Sequence, residues 1–275
     1  MTESVQINPD ELASLEGAYD KFLPIKHPLW GKWKDKIDGS NFRADSAYVS
    51  QLVDSNIQQY VNAFDYVIKA REWMMSHVNE DGAFGCQTFT RRGKVFSRDL
   101  LDSVLEISFL RDYLGIDGSQ PKILDIGAGY GRLAHRLSEF GQHNVGCIDA
   151  VAKSTLICKG YAGFRHWPWF TYSLTDAELA LHGTDIATNI HSWPEATPQS
   201  IEWWMSKLAD ANIKHLFVVP HNDNWQCWAE DGSRPEFWSI IKKYGYTPTH
   251  SRSKFPIGFD GPFQTVYQLF ERKGK

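Results

Sequence analysis

The sequence predicts an α/β fold: a mostly parallel, doubly wound sheet ending in an antiparallel strand pair, with a helical region in front of it. Three observations carry that reading. From Lys122 onward, short apolar runs alternate with segments of helical periodicity. The first run passes straight into a glycine-rich turn, Asp125-Ile126-Gly127-Ala128-Gly129-Tyr130-Gly131. The last two runs, 246–255 and 263–272, follow one another with no helix between them. Strands joined by a turn are antiparallel.

The elements follow in order. Apolar residues at helical spacing between Val49 and Trp73 predict one helix over 44–77, capped by Asp45 or Ser46. Asn79-Glu80-Asp81-Gly82 stops it. Residues 84–96, with Arg91, Arg92 and Lys94 among them, read as a loop or a hairpin. Ser97 caps a helix whose apolar face runs from Leu100 to Leu110, ahead of Gly115. Strands are expected at 122–126, 144–149, 169–173, 184–190 and 214–220. Helices are expected at 131–140, 152–161, 176–181, 198–210 and 234–244. The chain thus divides into a helical cap and substrate region, 1–96, and a cofactor-binding domain, 97–275.

A strand that turns through glycines into a helix brings main chain close to a ligand. Asp149 lies about twenty residues on, after a second apolar run, where a carboxylate can take a ribose diol. Together they point to an adenosine-containing cofactor. The dinucleotide pattern G-x-G-x-x-G is broken, because the order is Gly127-x-Gly129-x-Gly131 and Arg132 follows. Asp125 would repel a pyrophosphate and suits a positively charged ligand, an amine or a sulfonium. These residues resemble the first motif of the class I S-adenosylmethionine-dependent methyltransferases, D/E-x-G-x-G-x-G at the end of a strand. The resemblance implies a Rossmann-like class I sheet and S-adenosylmethionine as cofactor. It also implies a binding set of Asp125, Gly127, Ala128, Gly129, Gly131, Asp149 and Asn189.

In an open parallel sheet the ligand lies beyond the carboxyl ends of the strands. The fourth strand is followed by His191-Ser192-Trp193-Pro194-Glu195. Methyl transfer to a hydroxyl needs a base, and histidine titrates in the useful range. His191 is the first candidate, with Glu195 orienting it or anchoring a hydroxyl. The alternative for His191 is a capping or packing role. The fifth strand is followed by His221-Asn222-Asp223-Asn224-Trp225, where His221 and Asp223 form a second candidate pair. They read as a base with its carboxylate, as two cation ligands, or as a solvated loop. A metal wants more oxygen ligands than this loop offers, so no metal site is expected. Trp193, Asp223 and Trp225 are the expected acceptor contacts.

The stretch from Thr188 to Pro198, followed by Ile201-Glu202-Trp203-Trp204, resembles a family of sugar O-methyltransferases. Its members carry an N-x-x-S-aromatic-x-E turn and then a helix with paired aromatics. The family commonly has D-[LI]-P where this chain has Asp149-Ala150-Val151. The resemblance covers about 97–220 and stops short of the N-terminal helices. It implies O-methylation of a sugar or natural-product hydroxyl with a histidine base. N- or C-methylation, an NAD-dependent enzyme and a non-catalytic cofactor-binding protein are the competing readings, the NAD enzyme disfavoured by Asp125 and Arg132.

Bulk properties narrow the field. The chain has 275 residues, a net charge of −4 and a pI near 6.2, which give no electrostatic reason to bind nucleic acid or an anionic membrane. No apolar run is long enough to span a bilayer, and Met1-Thr2-Glu3-Ser4 lacks the order of a signal peptide. Cys86, Cys147, Cys158 and Cys227 have no C-x-x-C spacing and read as reduced thiols of a cytoplasmic protein. The expected partner is a small-molecule acceptor, and a homo-oligomer is left open. Eleven tryptophans, several in pairs, read as core aromatics or as the wall of a pocket.

Overall fold

The computed structural model describes residues 3–22, 28, 30, 34–44, 48, 56–167 and 169–273. A hairpin, β1 (Phe89–Arg91) and β2 (Lys94–Phe96), precedes the main sheet. The sheet strands are β3 (Ile123–Ile126), β4 (Val145–Ile148), β5 (Phe170–Tyr172), β6 (Ile186–Ile190), β7 (His215–Val219), β8 (Tyr246–Ser253) and β9 (Val266–Arg272). They lie in the order β5-β4-β3-β6-β7-β9-β8. β3 to β7 pair in parallel, and β9 runs antiparallel between β7 and β8. This is a Rossmann-like class I methyltransferase sheet. The order reverses between β3 and β6, and at such a point a crevice forms.

The central strands are apolar because both of their faces are covered. Side chains alternate across a strand, so Ile123, Phe217, Val219, Tyr267 and Leu269 enter one core. Leu124, Leu216, Val218 and Phe270 enter the other. The first core takes helices Ile57–Ala70, Glu72–His77, Arg98–Leu114 and Arg132–Glu139. The second takes Ala177–Leu181, Pro198–Asp210 and Trp238–Lys243. Among the described residues, no helix is long and apolar enough to cross a membrane.

Helix ends follow local chemistry. Ser97 caps Arg98–Leu114 by accepting from the Leu100 amide at 3.1 Å, and Gly115 closes it at φ 59°. Thr197 caps Pro198–Asp210, the helix expected over 198–210. Two expectations change. The helix expected over 44–77 is broken at Arg71 (φ −143°), and its described part starts at Ile57, capped by Asn56. Asp45 and Ser46 lie outside the described residues. The helix expected over 234–244 begins only at Trp238, because 226 and 236 pair as a β-bridge and pull the preceding loop into extended form.

The N-terminal region is tied to the sheet by buried charge. Glu80 accepts from Arg43 at 2.7 Å and from Arg136 at 2.8 Å. Burial alone would raise its pKa, yet the two guanidinium groups hold it down at about 2. Asp81 takes Arg43 at 3.1 Å and Arg165 at 2.5 Å. Tyr19, at the end of Pro9–Tyr19, bonds Thr155 at 3.0 Å and accepts from the Leu174 amide at 2.8 Å.

Candidate active site

A cleft opens where the strand order reverses, at the carboxyl ends of β3, β4 and β6. Its floor is the glycine turn. Gly127 (φ 76°), Gly129 (φ 58°) and Gly131 (φ 87°) are all left-handed, a conformation glycine adopts without penalty. Space is also short. A Cβ on Gly127 would lie 2.1 Å from Ser192 Oγ, and one on Gly129 would lie 3.1 Å from the Tyr48 ring. A Cβ on Gly131 would meet Cys158 Sγ at 2.9 Å, so this third glycine serves helix packing and does not line the cleft.

The turn spends its amides on itself. Gly127 and Ala128 N–H donate to the Ile148 carbonyl at 2.8 and 3.3 Å, and Gly131 N–H donates to Ala128 at 2.9 Å. Gly129 N–H donates to Asp149 Oδ2 at 2.8 Å. A pyrophosphate would need such amides. Their commitment argues, with Asp125, against a dinucleotide.

Two carboxylates stand at either side of this turn. Asp125 accepts from Thr188 Oγ1 at 2.6 Å, and Asp149 Oδ1 accepts from the Val151 amide at 2.8 Å. The Asp149 carboxylate thus accepts from main-chain amides on both of its oxygens. Burial pushes both acids up to about 7, and the nearby Glu195 charge adds to the rise at Asp149.

The other end of the cleft is assembled from side chains. His191 follows β6 with φ 63°, and its amide donates to Val219 at 2.8 Å. Among the described residues its buried Nδ1 has no hydrogen-bond partner. Burial, then the neighbouring His221, Arg98 and Arg132, hold its pKa well below the ordinary histidine value. The His221 ring lies 5.5 Å from it, centroid to centroid. Glu195 serves His221 instead of His191: its Oε1 is 3.5 Å from His221 Nε2. Its Oε2 accepts from Trp30 Nε1 at 2.6 Å. Trp30 in turn packs against Tyr48, ring centroids 5.3 Å apart and planes tilted by 42°, and the Tyr48 hydroxyl donates to Ser154 at 2.7 Å.

Five cleft residues carry no motif in the sequence: Trp30, Tyr48, Arg98, Asp99 and Asp102. The last three come from the first turn of Arg98–Leu114. Burial opposes ionisation of Asp102, but Lys254 at 2.5 Å and Arg98 at 3.3 Å outweigh it and hold the acid below its usual range. Arg132 pairs with Glu106 at 2.8 Å, and Asp99 accepts from the Tyr130 hydroxyl, fixing the turn from below.

Six expected contacts lie off the cleft lining. Gly131 is one, and His221 is another: it sits 40% exposed after β7 and neighbours the cleft through Glu195 and the His191 ring. Four more are held elsewhere. Asn189 is fully buried, and both ends of its amide are used: it donates to the Ile126 carbonyl at 2.8 Å and accepts from the Trp193 amide at 2.9 Å. It clips β3 to the turn after β6 and shapes the cleft from behind. Trp193, 1% exposed, packs edge-on against Phe237 in the core. Trp225 is buried against Trp238 and Phe237, with ring centroids at 4.6 and 5.5 Å. Asp223 is exposed on its loop and does not line the cleft. Tryptophan is amphipathic, and at these positions its apolar body decided the outcome.

Topology and cleft together are those of the class I methyltransferase fold. No protein-family model matches the sequence, and no curated protein matches it in sequence. Among solved structures, the chain is similar to magnesium protoporphyrin IX methyltransferase from Synechocystis PCC 6803 with bound SAM, at 12% identity and a TM-score of 0.46. That match covers 80% of this chain and 99% of the other. It is similar to the methyltransferase domain of bacterial CtHen1 at 16% identity and a TM-score of 0.45, over 61% of this chain and 99% of that one. It is also similar to the mitomycin 7-O-methyltransferase MmcR at 14% identity and a TM-score of 0.43, over 63% and 56% of the two chains.

Proposed function

We propose that the protein is an S-adenosylmethionine-dependent methyltransferase acting on the hydroxyl of a small molecule. The observation that carries this is one cleft holding Asp125, the Gly127–Gly129 turn, Asp149, His191 and Glu195 together. Gly127, Ala128 and Gly129 provide close approach for the methionine part, and Asp149 takes the ribose hydroxyls. Asp125 lies in reach of the positive end of the ligand. When bound, the cofactor supplies a methyl group on a sulfonium, open to in-line attack. Every other part of the chemistry falls to the chain. The acceptor hydroxyl loses its proton to an imidazole.

Of the two imidazoles His221 is assigned as the base, because its Nε2 lies 3.5 Å from the carboxylate of Glu195, which lines the cleft. His191 stays neutral beside Arg98, Arg132 and His221, and it orients the acceptor. Residues 1–96 act as the cap, reaching the cleft through Trp30 and Tyr48. A net charge of −4 favours a small acceptor over nucleic acid. A second reading, an amine acceptor, draws on the lining carboxylates Asp99, Asp102, Asp125, Asp149 and Glu195, which outnumber the lining cations Arg98 and Arg132.

Titration calorimetry with S-adenosylmethionine, S-adenosylhomocysteine and NAD tests the cofactor. The first two bind and NAD does not. A panel of sugar, phenolic and amine acceptors, read by mass, then tests the acceptor. A protein that binds neither S-adenosyl compound overturns the reading.

A further inference from the structure

We propose that Trp30 is a positioning residue for the acceptor-side base: its indole N–H fixes the Glu195 carboxylate so that the other oxygen faces His221. The inference rests on the reading of His221 and Glu195 as that base.

Three observations meet at Glu195. Its two oxygens are divided between two partners from different parts of the chain, Trp30 at 2.6 Å and His221 at 3.5 Å. The Trp30 bond, from an indole N–H to a carboxylate, is charge-assisted, and such bonds are about twice as strong as neutral ones. The Glu195 side chain is only 13% exposed, while that of His221 is 40% exposed. A carboxylate in that place, released from the indole, would rotate towards water through the open mouth and away from the imidazole.

Trp30 itself packs against Tyr48 at 5.3 Å between ring centroids, and the Tyr48 ring covers Gly129. The tether therefore runs from the glycine turn, through two aromatic rings, to the carboxylate beside the base. The charged and titratable groups around His221 are Glu195, on the turn after β6, and His191. Behind His191 lie Arg98, Asp102 and Arg132. Glu195 contacts both Trp30 and His221.

The experiment uses the full chain saturated with S-adenosylhomocysteine and follows the His221 imidazole by NMR as pH is varied. Calorimetry with the same compound is run first. Failure to bind it overturns the methyltransferase reading and is seen apart from the tether. In Glu195→Gln the His221 midpoint falls. Trp30→Phe keeps the ring but removes the donor, and its midpoint falls by about half as much. The double variant matches Glu195→Gln alone, since coupled partners are not additive. An unchanged or raised midpoint in Trp30→Phe, or an additive double variant, overturns the proposal. Should Trp30→Phe not fold, the indole N–H resonance of Trp30 in the unaltered chain decides. It moves upfield in Glu195→Gln if the bond is charge-assisted, and a resonance that stays in place overturns the proposal.

Discussion

The two ends of the cleft are held in different ways. At the cofactor end, Asp149 is fixed by the amides of Gly129 and Val151, and Asp125 by Thr188 on the neighbouring strand. Main-chain amides set the first position, and one hydroxyl on the adjacent strand sets the second. At the acceptor end, Glu195 is fixed by Trp30, 165 positions away, and faces His221 from another loop. Each group there depends on a side chain from a distant segment. The first end is rigid by construction, and the second holds only while several remote contacts stay in place. An enzyme built this way can keep one cofactor while the acceptor side changes.

The sharpest test of the contrast is His221→Ala. It should lower kcat by roughly a hundred- to ten-thousandfold, the usual span for loss of a general base. Affinity for S-adenosylhomocysteine should stay within twofold, because the imidazole belongs to the other end. A loss of cofactor binding in stopped-flow and calorimetric measurements would break the division.

Next in size is Gly129→Val. A β-branched residue at φ 58°, with its Cβ 3.1 Å from the Tyr48 ring, is strained twice. Cofactor affinity should fall about a hundredfold, equal to about 2.7 kcal/mol. Circular dichroism should still show a folded chain. Unchanged affinity would remove the turn from the site.

The smallest effect is on proton balance. Asp125 and Asp149, both raised to about 7, are largely protonated below that pH. A sulfonium favours their ionised forms. S-adenosylmethionine should therefore release protons on binding below pH 7, and its affinity should climb from pH 5.5 to 7.5 and then level off. Calorimetry in buffers of different ionisation enthalpy reads this directly. S-adenosylhomocysteine, which lacks the sulfonium charge, should show a weaker dependence, and Asp149→Asn should flatten the curve and cost about tenfold in affinity. On folding, the same shift has the opposite sense. The extra stability from these acids is present below the ordinary carboxylate pKa and is lost as pH rises through about 7.

The residues proposed for the cofactor were readable in the sequence because they are local. Asp125 to Gly129 is one continuous stretch, and Asp149 follows at the end of the next strand. All seven sheet strands were also visible, the central ones because burial on two faces leaves uninterrupted apolar runs. The acceptor end was legible only in part. His191, Glu195 and His221 follow strands and could be found by that rule. Trp30 and Tyr48 could not, because nothing in the spacing of a lone aromatic says which side chain it will meet. Arg98, Asp99 and Asp102 sat at a recognised helix start, yet a charged first turn is ordinary, and only tertiary placement aims it into a cleft. Trp193 and Trp225 failed in the other direction. The same amphipathic ring suits a pocket wall or a core, and adjacency to a strand end does not choose between them.

The buried charges around Glu80 bear on how the molecule can be divided. Arg136 lies on the helix that follows the glycine turn, 1% exposed, and its partner Glu80 comes from the N-terminal region. A chain cut before Ser97 would lose this carboxylate and leave the Arg136 guanidinium with Glu139 alone, at 2.7 Å. It would also uncover the Leu100–Leu110 face of the next helix. The cap is thus not a cassette that can be exchanged for another. Transplanting a foreign acceptor region onto this sheet would require the ion network to travel with it, and recombination at the 96/97 junction should yield few folded progeny.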